Sequence, residues 1–236
     1  MLSKPRWQKK PCPLSEPFCT WPGWRHLGHA GLLGLATGAW FEIIYGGADL
    51  LAAQHSYRVR LYFDAELSMP FVPAAVLLYM SLYLLFWAAP FILRARRELT
   101  ALAAALAAVT LFAGLCFIVF PAECVFPGAD EAGVWTGLVG FAKGLALRYN
   151  LMPSLHVALA VVCIAVFAAR APRAGKVLLW IWALGICAST LLLHQHYLVD
   201  VLTGFALGLA GVRWVYGPWT ARIPRASRSR GAALPV

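Results

Sequence analysis

Residues Leu99–Phe120, LTALAAALAAVTLFAGLCFIVF, carry no charge and are preceded directly by Arg96, Arg97 and Glu98. A membrane-spanning helix needs about 20 consecutive, mainly apolar residues, and this run meets that length unbroken. The same reading applies on both sides of it. Phe71–Leu93 and Val177–Leu193 are also uncharged, and Pro153–Ala169 carries only His156. Leu27–Ala48 contains one acid, Glu42, and Tyr197–Tyr216 contains Asp200 and Arg213. The expected fold is therefore an all-α integral membrane protein, a six-transmembrane helix bundle. Its expected organisation is an N-terminal cytoplasmic segment over 1–26, a six-helix membrane domain over 27–216 and a basic cytoplasmic tail over 217–236.

Composition agrees. Of 236 residues, 61% are hydrophobic and 13% are charged, against roughly 25% charged in ordinary globular chains. So few charges could not cover so apolar a core in water, which excludes a soluble domain, and the same figures exclude a disordered chain. The six cysteines form no C-x-x-C pair, so they read as small hydrophobes and stray thiols, without a disulfide framework or zinc site. The N-terminus is rich in Pro and Lys, with no small-residue cleavage site before residue 26, and does not read as a signal peptide.

The net charge of +10 would raise the question of nucleic acid in a soluble protein. With six spans, the segments 1–26, 94–98, 170–176 and the tail from Arg213 hold 16 of the 20 Lys and Arg residues. The opposite set holds only Arg58, Arg60, Lys143 and Arg148. Cytoplasmic loops are enriched in Lys and Arg, so both termini are expected in the cytoplasm. The run Arg222–Arg230 follows from the same rule, and no nucleic-acid partner is expected.

Ionisable groups at membrane depth are costly and mark functional sites. Glu42 stands alone, and its role is left open between packing at the interface and function. The others form a pattern. Asn150-Leu-Met-Pro-Ser-Leu-His156 opens the fourth span, with Pro153 suited to a first helical turn and Ser154 and His156 just inside. His196 and Asp200 are four residues apart, a spacing that stacks them on one helix face. Gly204 and Gly208 continue that stripe and would let another helix approach closely. Topology brings the starts of the fourth and sixth spans to the same outer surface.

A histidine backed by a carboxylate is held in one tautomer and made more basic, as a nucleophile requires. A second histidine can protonate a leaving oxygen. Backbone N–H groups at the helix start around Ser154 form a phosphate cradle. His194, two residues from His196, points elsewhere and reads as a loop residue.

P-S-L-H at 153–156 and H-Y-L-V-D-V-L-T-G at 196–204 resemble two signatures of the type 2 phosphatidic acid phosphatase superfamily, P-S-x-H and S-R-x5-H-x3-D. Here Ser189-Thr190 precedes His196 by the same spacing, with Thr190 where the family has arginine, and the further signature K-x6-R-P is missing. Both departures, together with D-x5-P-F-x-P-x5-Y-x3-Y over Asp64–Tyr83, are similar to the inositol phosphorylceramide synthase-like branch. The resemblance implies His196 as the nucleophile that forms a phosphohistidine, Asp200 as its orienter and His156 as the acid that releases the alcohol and then activates the acceptor. It also implies Ser154 on a phosphoryl oxygen, and neither metal nor cofactor.

The expected activity is breakage of a lipid phosphate ester at the outer face, with water or a lipid alcohol as acceptor. The partners are then a membrane lipid phosphate and the bilayer, while the oligomeric state stays open. Fewer arginines favour a phosphodiester, which carries less charge than a dianionic monoester. Something must replace the arginine at 190. Arg148, in the loop leading into P-S-L-H, is the expected phosphate clamp, with Lys143 second, because guanidinium binds phosphate bidentately. Two rival functions meet obstacles. A proton-relaying transporter would use the same His–Asp pair, but no internal repeat of the kind such folds show is present. A serine protease would need a G-x-S-x-G context around Ser154, which is missing.

Overall fold

In the computed structural model, residues 18–126 and 132–221 are described. Cys12, the run Arg222–Arg230 and most of the expected segment 1–26 lie outside the described residues. Among those described there is no strand. The principal helices are α1 (Trp24–Ala53), α2 (Val76–Met80), α3 (Leu82–Ile92), α4 (Arg96–Val119), α5 (Thr136–Gly144), α6 (Leu155–Ala168), α7 (Arg173–Leu192), α8 (Leu198–Gly211) and α9 (Gly217–Ala221). A 3-10 turn at Pro73–Ala75 runs into α2 and α3, and a π-helical turn at Val212–Tyr216 joins α8 to α9.

Five stretches are long and apolar enough to cross a membrane: Trp24–Ala53, Pro73–Ile92, Arg96–Val119, Arg173–Leu192 and Leu198–Ala221. This is the make-up of a multi-pass membrane protein. The fourth expected span differs. α6 has 14 residues, about 21 Å at 1.5 Å per residue, against a hydrocarbon core of about 30 Å. Its burial gives the reason. Every α6 residue is buried except His156, because α3, α4, α7 and α8 surround it. A helix enclosed by its neighbours meets protein along its length and has no lipid thickness to match.

Small residues allow that enclosure. A Cβ at Gly204 would strike the Ser154 carbonyl oxygen, and one at Gly208 would come within 2.7 Å of both the Ala158 carbonyl oxygen and Val161 Cβ. α8 therefore lies against the α6 backbone along the stripe that the sequence marks. α6 contributes Leu159, Val162, Cys163 and Val166 to the main core cluster, which also takes in Ala105, Val109 and Ala113 of α4.

Chain direction sorts the two ends of the bundle. α6 and α8 begin, and α1, α4 and α7 end, at one end, where the histidines lie. At the other end Arg170 pairs with Glu98, and Arg97 Nη2 donates to the Trp219 carbonyl at 2.9 Å.

Candidate active site

Ser154 caps α6: its Oγ accepts the Val157 N–H at 3.4 Å. Pro153 therefore stands one residue before the cap, joined to Met152 by a cis peptide, instead of occupying the first helical turn. A serine hydroxyl satisfies one of the unpaired N–H groups at a helix start, which proline cannot do. The Ser154 N–H in turn donates to the Asp200 carbonyl at 2.9 Å, so the two motifs are joined through the backbone.

α8 starts later than the His-to-Asp spacing suggests. Its cap is Tyr197, so His196 precedes the helix and does not share a helical face with Asp200. The two still meet, because Asp200 sits in the first turn and turns its carboxylate back. Asp200 Oδ2 accepts the Tyr197 N–H at 2.9 Å and lies 3.5 Å from His196 Nδ1. The contact is an ion-pair distance and longer than a hydrogen bond. Asp200 is fully buried, and its Oδ1, like His196 Nδ1, has no hydrogen-bond partner among the described residues. With Nδ1 turned to the carboxylate, Nε2 is the nitrogen left for chemistry.

His196 reaches this position through the end of α7. The Thr190 carbonyl accepts the N–H groups of Gln195 at 3.0 Å and His196 at 3.3 Å. Just before them, His194 has φ 55°, a left-handed conformation unusual outside glycine. Its ring holds the turn in place, stacked on Phe126 at 4.2 Å with Nε2 3.0 Å from the Met69 carbonyl. His194 thus points away from His196, as expected.

Tyr79 fixes His156 twice. The two rings stack at 3.8 Å with an interplanar angle of 12°, and His156 Nε2 lies 2.8 Å from the Tyr79 carbonyl oxygen. A carbonyl only accepts, so Nε2 carries the proton and Nδ1 is free to exchange one. The sequence places Tyr79 in a motif without giving it a role. Glu66 has no sequence signal at all. It is buried, its Oε1 accepts the Leu198 N–H at 2.6 Å and its Oε2 accepts the Phe63 N–H at 2.8 Å. It thereby anchors the start of α8 from a loop that is distant in sequence. An acidic residue seven positions before Pro73 carries nothing local that marks this role.

His156 and His196 line one cavity of about 440 Å³, which also reaches Glu42, Tyr45 and Asn150 and extends along apolar side chains of α1, α3 and α4. Ser154 and Asp200 lie behind the wall, and among the described residues no Lys or Arg lines it. Arg148 instead bonds Glu123 Oε1 through Nε at 2.9 Å and Nη2 at 2.5 Å. That hydrogen bond, and then the Glu123 charge, raise the Arg148 pKa above its ordinary value. Lys143 Nζ stands 5.4 Å over the Phe71 ring. The site therefore joins His156, His196, Asp200 and Ser154, while Arg148 and Lys143, on the loop and helix that precede α6, do not line its cavity. Among the described residues, no cluster of three His, Cys, Asp or Glu side chains has the arrangement of a metal site.

Residues 120–223 match the family model of the PAP2 superfamily, the type 2 phosphatidic acid phosphatases. The matched stretch contains both histidines, Asp200 and Ser154, and supports the superfamily to which the motifs point. No curated protein matches the chain.

Proposed function

We propose that this protein is an integral-membrane lipid phosphatase or phosphotransferase that works through a phosphohistidine. Members of the PAP2 superfamily act as phosphatases and phosphotransferases on phosphate esters. The observation that carries the reading is that His156 and His196 line one cavity while Asp200 stands 3.5 Å behind His196.

In the first step His196 Nε2 attacks phosphorus, and the P–O bond to the lipid alcohol breaks. Protonated His156 gives the departing oxygen its proton from Nδ1, and Asp200 stabilises the charge on His196. In the second step the acceptor oxygen forms a new P–O bond as the P–N bond breaks, and His156 takes the acceptor's proton. Water as acceptor gives hydrolysis; a lipid alcohol gives head-group transfer. With no Lys or Arg among the described residues of the wall, a singly charged phosphodiester suits the site better than a dianion, which supports transfer of an inositol-phosphate-type group.

The phosphoryl oxygens meet the N–H groups at the start of α6, where anions bind favourably, and Ser154 shapes that start by capping it. Arg148 is the proposed additional clamp and Lys143 a second; Arg148 engages by exchanging Glu123 for phosphate. The clustering of basic residues at the opposite end supports an extracytoplasmic site with both termini cytoplasmic, and six crossings with α6 as the short central one.

The test is incubation of the purified protein with radiolabelled lipid phosphates, followed by a rapid quench. An acid-labile phosphoprotein is expected in the wild type and absent from His196→Ala. Equal turnover by both proteins would remove the mechanism.

A further inference from the structure

The Tyr79 carbonyl decides which nitrogen of His156 carries the proton, and neither histidine motif presents that carbonyl. The stretch Pro73–Ile92 is long and apolar enough to cross a membrane as one rod. It is nevertheless broken: α2 ends at Met80, α3 begins at Leu82, and Ser81 stands between them outside both helices. A proline disturbs the carbonyl four residues before it, so Pro90 of α3 acts near Phe86 and does not account for the break.

Ser81 supplies the cause. Its hydroxyl donates to the Leu78 carbonyl at 2.5 Å, and its N–H donates to the Leu77 and Leu78 carbonyls at 3.1 and 3.2 Å. The Leu78 carbonyl is thereby occupied from within its own turn, and serine back-bonding of this kind bends helices. On the other side the Leu84 N–H donates to the Ser81 carbonyl at 3.1 Å, a three-residue step. The last carbonyls of a helix have no N–H partner within it. Tyr79, the penultimate residue of α2, holds one of them, and His156 Nε2 takes it at 2.8 Å.

A second helix holds the break. Trp182 of α7 donates its indole N–H to Ser81 Oγ at 2.7 Å, so the one hydroxyl both donates and accepts. Gly185 makes room for the same junction, since a Cβ there would come within 2.8 Å of Leu78 Cδ2. Leu192 accepts the Val72 N–H at 2.9 Å. Steps of three and seven residues put Trp182, Gly185 and Leu192 on one face of α7. The end of α7 also carries the Thr190 carbonyl that receives the His196 N–H. One helix thus supports both histidines, His196 through its last turn and His156 through the break at Ser81.

We infer that Ser81 and Trp182 are positioning residues for His156. Their hydroxyl–indole pair holds the Pro73–Ile92 rod open beside Tyr79, so that the Tyr79 carbonyl meets His156 Nε2 and Nδ1 is left to exchange the proton. Without the pair the rod can close into a continuous helix. The Tyr79 carbonyl then turns to the N–H one turn on, and His156 loses the bond that fixes its ring. The catalytic consequence rests on the reading of His156 as the proton donor; the hold on its ring does not.

The experiment reads that bond and turnover separately. Full-length protein carrying isotope-labelled histidine is observed by NMR in detergent, with His156→Ala assigning the His156 ring N–H. A ring N–H held by a buried carbonyl exchanges slowly with water and gives a resonance, whereas an unheld one exchanges too fast to be seen. The resonance is expected in the wild type, absent in Ser81→Ala and Trp182→Phe, and regained in Ser81→Thr, which keeps the hydroxyl. Trp182→Phe keeps the ring bulk and carries the test if Ser81→Ala does not fold. On phosphatidic acid, kcat should fall roughly ten- to a hundredfold in the first two variants, the scale of a misplaced catalytic group, with KM little changed. A role in packing alone would lower the melting temperature and leave kcat per folded molecule intact. A wild-type resonance in both Ser81→Ala and Trp182→Phe, its loss in Ser81→Thr as well, or its loss with kcat unchanged would each overturn the inference. If the resonances behave as expected in a protein that turns over no lipid phosphate, the catalytic reading falls and the hold on His156 stands.

Discussion

The Asp200 carbonyl accepts the Ser154 N–H at 2.9 Å, while the Asp200 carboxylate lies 3.5 Å from His196 Nδ1. One residue thus sets the start of α6 with its backbone and faces the proposed nucleophile with its side chain. His156, two residues into α6, cannot move relative to His196 without breaking that bond or displacing Asp200. The two histidines, 40 positions apart in the chain, are held as a unit.

Gly204 tests this coupling. It lies one turn after Asp200, and a Cβ there meets the Ser154 carbonyl oxygen and, at 3.2 Å, Ser154 Cβ. The obstacle is backbone, which cannot rotate aside. Gly204→Ala should cost roughly 1–3 kcal/mol, as overpacking does, and lower activity at least tenfold by separating the histidines. Thermal unfolding with lipid phosphate turnover checks both effects. Wild-type values in each would mean that α8 can shift without moving the site.

Asp200→Asn separates structure from charge. The asparagine carbonyl can still accept the Tyr197 N–H, so the first turn of α8 keeps its cap. An amide cannot stabilise imidazolium as a carboxylate does. Turnover should therefore fall about 10²- to 10⁴-fold, the range for general acid–base groups, with the melting temperature nearly unchanged. A rate loss below about threefold would reduce Asp200 to a capping residue.

The spans were legible in the sequence because an uncharged run of about 20 residues is long enough to cross a bilayer and too apolar to leave in water. The short central helix was not, since enclosure by four neighbours is a tertiary fact and α6 reads as apolar on every side. The four-residue spacing of His196 and Asp200 marks two residues that do come within 3.5 Å, for an incomplete reason. The helix begins at Leu198, and the contact arises from the carboxylate turning back to its own cap. Gly204 and Gly208 were readable because a gap every four residues has direct steric meaning. Glu66 was not, since it serves an N–H 132 positions away. Reading Arg148 as nearest to the P-S-L-H turn was correct along the chain, but sequence cannot show that Glu123, 25 positions earlier, occupies it.

That ion pair gives the last prediction. Arg148 spends two nitrogens on Glu123 Oε1, at 2.9 and 2.5 Å, and its side chain is two-thirds exposed. An exposed pair of this kind is weakly stabilising, so a phosphate can displace the carboxylate at little cost. If Arg148 clamps the substrate, Glu123 is its competitor, and the two positions should respond in opposite senses. Arg148→Ala should lower kcat/KM about tenfold or more. Arg148→Lys, which keeps the charge but loses the fork, should fall between Ala and wild type. Glu123→Gln should leave kcat/KM equal or raise it two- to threefold, mainly through a lower KM, because the guanidinium no longer has a charged rival. In the double variant Arg148→Ala with Glu123→Gln, that gain should vanish. Steady-state kinetics on one lipid phosphate for all five proteins decides the matter. Near-wild-type values for both Arg148 variants would leave the phosphate to the N–H groups at the start of α6. A loss in Glu123→Gln as large as in Arg148→Ala would show that the pair serves only to hold the loop.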